Sequence, residues 1–392
     1  MKIGINALSA QAGGGINDLV NLLPSIKKID KQNNYIIFIE KTQNEIINII
    51  PTDIKKVEIN YLPSNPYLRA PVRHIWEQFI FPFYIMIYKI DVLYSTGNVT
   101  SILAPCRIVL YITNANPYSL KYVKWPLKFK IINIVLKWLG LLSAKRADKV
   151  RFPSKNTMNL LSEHLNLPPN KCVVIYNGLN DNFKNALLDK DFESIHQNRY
   201  VLSVGLVYTH KNYHRLLEAF KILVDKYHYN GDLLIIGNYF DDNYFKYLNN
   251  LVKSLSLQER VFFKGKVLNM DLIGYYKFAD VFVIPSISES FGIPLIEAMT
   301  IGTPIVASDC EMEDKYRGIC FNPFREICGN AASYCNPFDP QDITESIYKV
   351  ISDTTYRNQL VSNGKLRSKQ FSVIDTARGI CGLLENFAGK HH

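Results

Sequence analysis

The sequence predicts an α/β protein built from two Rossmann-like domains, and three observations predict it. Short β-branched runs alternate with helical patterns along the whole chain, as parallel α/β layers require. With 392 residues and 45.0 kDa, the chain is too long for one ordinary core and suits two domains of about 200 residues each. Finally, Asn180–Asn198 is polar and charged, with no sustained apolar period, and reads as a linker. Two domains facing across a cleft are the natural architecture.

The first-half strands are expected at Lys2–Ala7, Tyr35–Ile39, Val57–Tyr61, Val92–Ser95, Ile108–Ile112, Val150–Phe152 and Val173–Tyr176. Those of the second half are expected at Tyr200–Val204, Asp232–Ile236, Val261–Lys264, Val281–Pro285 and Pro304–Ala307. Several of the latter end in a small residue (Gly205, Gly237, Gly265, Ser286), and strand carboxyl ends are where open α/β sheets bind ligands. The first strand runs into Gly13-Gly14-Gly15 and then a helical stretch, Asn17–Leu23. Glycine lets backbone approach a ligand, and the helix start offers N–H groups to an anion. The spacing is not GxGxxG, so a dinucleotide site is not indicated; structural and functional readings of this turn weigh about equally.

Composition narrows the function classes. Up to Gly178 there are 22 basic and 10 acidic residues, while the remainder carries 23 and 25, so the whole +10 excess belongs to the first half. That asymmetry points to a polyanion or an anionic membrane surface. Seven cysteines without a CxxC pair fit neither a disulfide framework nor zinc, and they read as reduced thiols. No stretch reaches the roughly 18 apolar residues of a spanning helix, and the short apolar start, broken by Asn6, does not fit a signal peptide. A cytoplasmic protein, peripheral at the inner face of a membrane, is expected.

The sharpest motif is ESFGIPLIEAMTIGTPIVAS, Glu289–Ser308. Pro294 suits the first position of a helix, where its missing N–H costs nothing. Gly292 leaves the turn before it open. Glu289 then sits on a loop above the sheet and Glu297 in the opening turns of the helix. The amides near Phe291–Ile293 would favour a diphosphate at the positive end of the helix dipole.

This Glu-x7-Glu pattern resembles the signature of the GT-B-fold glycosyltransferases of family 4. SVGLVYTHKNYHRLLEAF (Ser203–Phe220), VFFKGKVLNMDLIGYYKFADVFVIPS (Val261–Ser286), DKVRFPSKNT (Asp148–Thr157) and VVIYNGLN (Val173–Asn180) resemble its other segments, in the family's order. The resemblance implies an acceptor-side domain at 1–178, a linker at 179–198 and a donor domain at 199–370. A C-terminal helix and tail, 371–392, would cross back to the first domain. It further implies retaining transfer without a metal, from a GDP- or UDP-linked sugar that is substrate rather than cofactor. Glu289 and Lys211 would be catalytic, Glu289 meeting the sugar hydroxyls and Lys211 the diphosphate. Glu297 would bind the ribose, and Gly14, Gly15, Phe291, Gly292 and Ile293 would offer amides to the donor.

The chain departs from the family pattern at three places. Leu206 stands where many relatives carry Arg, so the phosphate site rests on Lys211, helped by Thr209 or His210. Thr113 and Asn114 stand on the acceptor side where relatives often carry a histidine, which favours a donor phosphate oxygen as the proton acceptor. Glu311–Pro323 reads as an insertion, either a lid or a tolerated loop. Asp189-Lys190-Asp191 matches a metal-binding DxD formally, but it falls in the linker and reads as coincidence.

Lys121–Lys155 holds ten Lys/Arg and one acid, interleaved with Trp125, Phe129 and Trp138. A helix here would either lie in a bilayer interface or be a core helix with snorkelling lysines; the surface reading is favoured. Arg69–Tyr88 is a second candidate surface. No helix-turn-helix, RRM or zinc pattern points to nucleic acid. The expectation is a hexosyl or deoxyhexosyl transferase, of mannosyl type, acting on a lipid-linked glycan in O-antigen or lipopolysaccharide biosynthesis. Its partners would be the nucleotide sugar, that acceptor and an anionic membrane surface. A sugar-nucleotide epimerase and a non-catalytic membrane- or polyanion-binding module are the rivals.

Overall fold

A computed structural model describes residues 1–10, 14–60, 63, 66–118, 127–180, 183, 192–239, 241–310 and 320–387. The Asp189–Asp191 motif, Lys121, Lys124, Trp125, Gly13, most of the expected linker and residues 311–319 of the expected insertion lie outside them. The chain forms two compact units. One comprises the described residues of Met1–Tyr118, Pro126–Gly178 and Ser372–His392; the other spans Leu179–Phe371.

In the first unit β1 (Lys2–Asn6), β2 (Asn34–Glu40), β3 (Lys55–Ile59), β4 (Val92–Thr96), β5 (Arg107–Tyr111), β6 (Lys149–Phe152) and β7 (Cys172–Val174) form one sheet. Their order is β3-β2-β1-β4-β5-β6-β7 and every pairing is parallel. Ile3 faces Tyr35 on one side and Val92 on the other, so the order reverses between β1 and β4. The sheet is flanked by α1 (Gly14–Ile29), α2 (Asn44–Ile47), α3 (Pro66–Phe79), α4 (Phe81–Tyr88) and α5 (Leu127–Arg146). Leu19, Leu22, Leu23 and Ile26 recur at helical spacing on α1 and are fully buried, a core-facing stripe. They share a cluster with Ala377, Ile380 and Leu384 of the C-terminal helix Val373–Glu385, which therefore belongs to this unit. The Thr376 hydroxyl adds a bond to the Tyr176 carbonyl at 2.8 Å.

The second unit repeats the plan with β8 (Tyr200–Val204), β9 (Asp232–Ile236), β10 (Val261–Gly265), β11 (Val281–Ile284), β12 (Ile305–Ser308) and β13 (Ala332–Cys335). The order is β10-β9-β8-β11-β12-β13, again all parallel. Here the reversal falls between β8 and β11. Such switch points open a crevice at the strands' carboxyl ends. Gly237, just past β9, has φ +148, and a Cβ there would lie 2.1 Å from the Gly205 carbonyl oxygen. Only glycine lets these two strand ends approach so closely.

Three expectations are corrected. β13 was not anticipated, because the short edge strand Ala-Ser-Tyr-Cys lacks the β-branched run that marks the others. Cys310 and Cys320 are bonded to each other rather than being separate thiols. Their Cα atoms lie 5.1 Å apart, which a gap of ten residues does not reveal. Pro294 occupies the second helical position, since the helix opens at Ile293; it still forfeits no intrahelical bond there.

No helix among the described residues is long and apolar enough to cross a membrane.

Candidate functional site

Lys211 and Glu289 come from the loops after β8 and β11, the two strands that flank the second sheet's switch point. Lys211 ends a single 3-10 turn, Thr209–Lys211. Asn212 follows in the left-handed region, with φ 63°, and its side-chain amide donates to the carbonyls of Pro285 (3.0 Å) and Pro337 (2.6 Å). The Ile287 amide donates to the His210 carbonyl at 2.8 Å. The lysine turn is thereby pinned to the end of β11, beside the glutamate loop.

That loop is braced in turn. The Glu289 amide donates to the Phe321 carbonyl at 2.9 Å, and the Phe321 amide to the Ile287 carbonyl at 2.7 Å. Asn322 donates to the Ser308 hydroxyl at 3.1 Å and to the Ser286 carbonyl at 3.3 Å. Thus the described end of the inserted segment supports the loop that carries Glu289.

The Lys211 ammonium forms an ion pair with Glu289 Oε1, to which the Ser286 hydroxyl also donates at 3.3 Å. Both side chains are largely shielded, at 14% and 15% exposure, so each charge is felt more strongly than on an open surface. His210, next to the lysine, is pushed down to about 3 by burial and then by the Lys211 charge. It is neutral near pH 7 and adds no positive charge beside Lys211.

Gly292, with φ 99°, caps the helix Ile293–Ile301. A side chain is excluded there by conformation, and a Cβ would press on Leu295 and Phe324 at 3.0 Å. The amides of Gly292 and Ile293 lie at the positive end of this helix. Phe291 is buried edge-on to Phe371, with ring centroids 6.0 Å apart. Glu297, on the first turns, is 9% exposed and accepts a hydrogen bond from the Tyr276 hydroxyl at 2.9 Å. Burial pushes its carboxyl up to about 7, with the tyrosine bond pulling the other way. Thr303 holds Tyr276 in place through its carbonyl at 2.7 Å.

The remaining expected residues lie in the first unit. Gly14 and Gly15 open α1 just beyond β1. Thr113 and Asn114 follow β5, and both their amides donate to the Asn98 side-chain oxygen, at 3.1 and 3.0 Å. Sequence reasoning singles out Ser286 only as a strand end, and it misses Asn98, Asn212 and Tyr276. Asn212 left a signal, since Asn directly after a short polar turn is the residue that best tolerates the left-handed region after glycine. Tyr276 left none, because its partner Glu297 is 21 residues away.

Chemically the second unit gathers a shielded cation, helix-terminal amides and two carboxyl groups. Phosphate oxygens suit the first pair, and hydroxyl donors suit the carboxyls.

Comparison with known proteins matches each unit to a glycosyltransferase family model. The model of the glycosyl transferases group 1 matches residues 186–367, and that of glycosyltransferase family 4 matches residues 42–183. The O-antigen chain mannosyltransferase RfbU of Salmonella typhimurium is 30% identical over 220 residues, 56% of either chain. The matches thus span about half the length of the curated relatives. Two solved structures share the fold at 18% identity. Sucrose-phosphate synthase of Thermosynechococcus elongatus has a TM-score of 0.75 over 98% of both chains. HepE of Anabaena, in complex with UDP-glucose, has a TM-score of 0.73 over 98% of this chain and all of its own.

Proposed function

Because the chain belongs to the GT-B-fold glycosyltransferases of group 1 and family 4, we propose that it moves a hexosyl or deoxyhexosyl group from a nucleotide sugar to a lipid-linked glycan. The group is of mannosyl type and the product a surface polysaccharide such as an O-antigen, in keeping with the RfbU relative, an O-antigen chain mannosyltransferase. The donor is GDP- or UDP-linked, and the enzyme works from the cytoplasmic side, peripheral to an anionic membrane.

The observation that carries this reading is the shielded Lys211–Glu289 pair beside the Gly292–Ile293 helix start. In the free protein the two charges neutralise each other. A donor diphosphate supplies a stronger partner for Lys211, which leaves Glu289 to accept hydrogen bonds from the sugar hydroxyls. Glu297 takes the ribose hydroxyls. Gly14 and Gly15 offer amides to the donor, as do Phe291, Gly292 and Ile293, while Thr113 and Asn114 serve the acceptor.

In the transfer the bond between the anomeric carbon and the diphosphate oxygen breaks, and the acceptor oxygen bonds to that carbon on the same face. The acceptor proton passes to the departing phosphate oxygen. Negative charge grows on the diphosphate as the bond breaks, so a lysine and fixed amides stabilise the transition state more than the ground state. The scheme calls on no metal ion.

The test is a panel of nucleotide sugars, first for binding and then for transfer to lipid-linked acceptors. Transfer that Glu289→Ala lowers about 10²–10³-fold is the expected outcome. Conversion of a nucleotide sugar with no acceptor present would instead identify an epimerase, and no binding across the panel would remove the transferase reading.

A further inference from the structure

The helix α5 is built inside out. On a helix that packs against a soluble core, the large apolar side chains face inward. On α5 they face water: Ile131, Ile134, Val135, Trp138 and Leu142 recur at one-face spacing and are 40–63% exposed. The face turned to the protein is made of Asn133, Gly140, Ser143 and Ala144. Gly140 shows how closely that face packs, since a Cβ there would fall 2.3 Å from the Tyr118 hydroxyl and 3.4 Å from the Asn98 carbonyl. The Ser143 hydroxyl accepts from the Thr100 amide at 3.1 Å.

The same loop ties α5 to a second exposed apolar element. The Arg146 guanidinium donates to the carbonyls of Ile102 (3.1 Å) and Ala104 (2.6 Å). Gln78, near the end of α3, donates to the Thr100 carbonyl at 3.0 Å and accepts from the Ile102 amide at 2.8 Å. Leu103, 58% exposed, lies on this loop, which those bonds fasten to the ends of both α3 and α5. Next to Gln78 the corner between α3 and α4 exposes Ile75, Phe79, Ile80, Phe83, Met86 and Ile87, at 45–72%. Helix α4 itself, FPFYIMIY, carries no charge. Together the exposed apolar side chains of α4, Leu103 and α5, joined through this loop, make up the apolar ridge of the first unit.

Its charge selects the occupant. Phe79–Ile90 and Leu127–Ala147 contain Lys89, Lys128, Lys130, Lys137, Lys145 and Arg146, and no Asp or Glu. A second copy of the chain docked ridge to ridge would bring these like charges together. An anionic bilayer matches both features, taking the apolar side chains into its acyl boundary and the bases among its headgroups. We propose that this ridge inserts into the surface of an anionic membrane, so that the first unit is anchored by side-chain burial as well as by charge. This deepens the transferase reading by naming where a lipid-linked acceptor is met, and it rests on that reading only for the acceptor.

Sedimentation with phosphatidylcholine vesicles holding about a quarter phosphatidylglycerol tests it, at about 0.1 M and about 1 M salt. Wild type is expected to bind at both, more weakly at high salt, because screening removes the charge component and leaves the apolar one. The triple variant Phe83→Ser, Ile87→Ser, Trp138→Ser is expected to lose at least about tenfold in partitioning, with an unchanged melting transition. Absence of wild-type binding at low salt, loss of all binding at high salt, or equal binding by the variant would overturn the proposal. So would a dimer in solution that the variant dissolves. Vesicle binding by a chain that binds no nucleotide sugar would sink the transferase reading and leave this one standing.

Discussion

The two units share a fold plan, yet one helix of the first, α5, treats its large apolar side chains differently from the helices of the second. In the second, the helix Tyr213–Tyr227 buries Leu216, Leu217, Phe220 and Leu223 against its sheet. In the first, α5 leaves Ile131, Ile134, Val135, Trp138 and Leu142 exposed and packs Gly140, Ser143 and Ala144 inward. Of the twenty exposed large apolar residues described, fourteen fall between Leu68 and Leu142, while the six of the second unit are scattered from Ile195 to Leu366. The net charge divides the same way. The comparison teaches that a parallel α/β layer fixes how a helix runs along the sheet, but not which of its faces must be apolar.

Several substitutions break or sharpen this contrast. The largest effect is expected in the second unit, where Glu289→Ala should lower turnover about 10²–10³-fold and leave vesicle binding as in wild type. A parallel loss of vesicle binding, read by sedimentation, would dissolve the division between the units.

Next is Gly237→Ala. A Cβ 2.1 Å from the Gly205 carbonyl, at φ +148, should cost about 2–4 kcal/mol in a denaturant titration. A change within about 0.5 kcal/mol would show that these strand ends are not held as described.

Glu297 gives a pH signature. Its carboxyl is raised from the ordinary 4.5 to about 7 by burial, so the native state holds a proton that the unfolded chain has released between those values. Stability should therefore fall as pH rises from about 5 to 8, by up to about 3 kcal/mol from this group. Glu297→Gln should remove that slope and be the more stable protein at pH 8. Melting curves of the two that run parallel across this range would contradict the assignment.

The smallest effect belongs to the ridge. Ile131→Ser and Val135→Ser should each change stability by less than about 0.5 kcal/mol, whereas Leu216→Ala in the second unit should cost about 2–5 kcal/mol. Comparable losses from both would mean that α5 is a core helix after all.

Much of this was legible in the sequence, for reasons that differ by feature. Twelve of the thirteen strands announce themselves as β-branched runs, and β13 does not because an edge strand need not be apolar on both faces. Lys211, Glu289 and Glu297 were legible through their place in motifs. Their supports were not, because Asn212 reaches Pro337 and Glu289 reaches Phe321 across distances that only the folded chain closes. The pairing of Cys310 with Cys320 is hidden for the same reason. For α5 the spacing revealed an apolar face but not its direction. Periodicity is identical whichever way an apolar face points, and only the packing of Gly140 and Ser143 against Tyr118, Asn98 and Thr100 shows which face of α5 turns inward.

The division of labour between the units is tested most directly by calorimetric titration of the nucleotide sugar selected from the panel, in solution and without lipid. Wild type, Lys211→Ala and the triple ridge variant are compared. The prediction is that Lys211→Ala weakens donor binding by at least about tenfold, while the ridge variant binds as wild type does. Unaltered binding by Lys211→Ala, or an equal loss in the ridge variant, would contradict it.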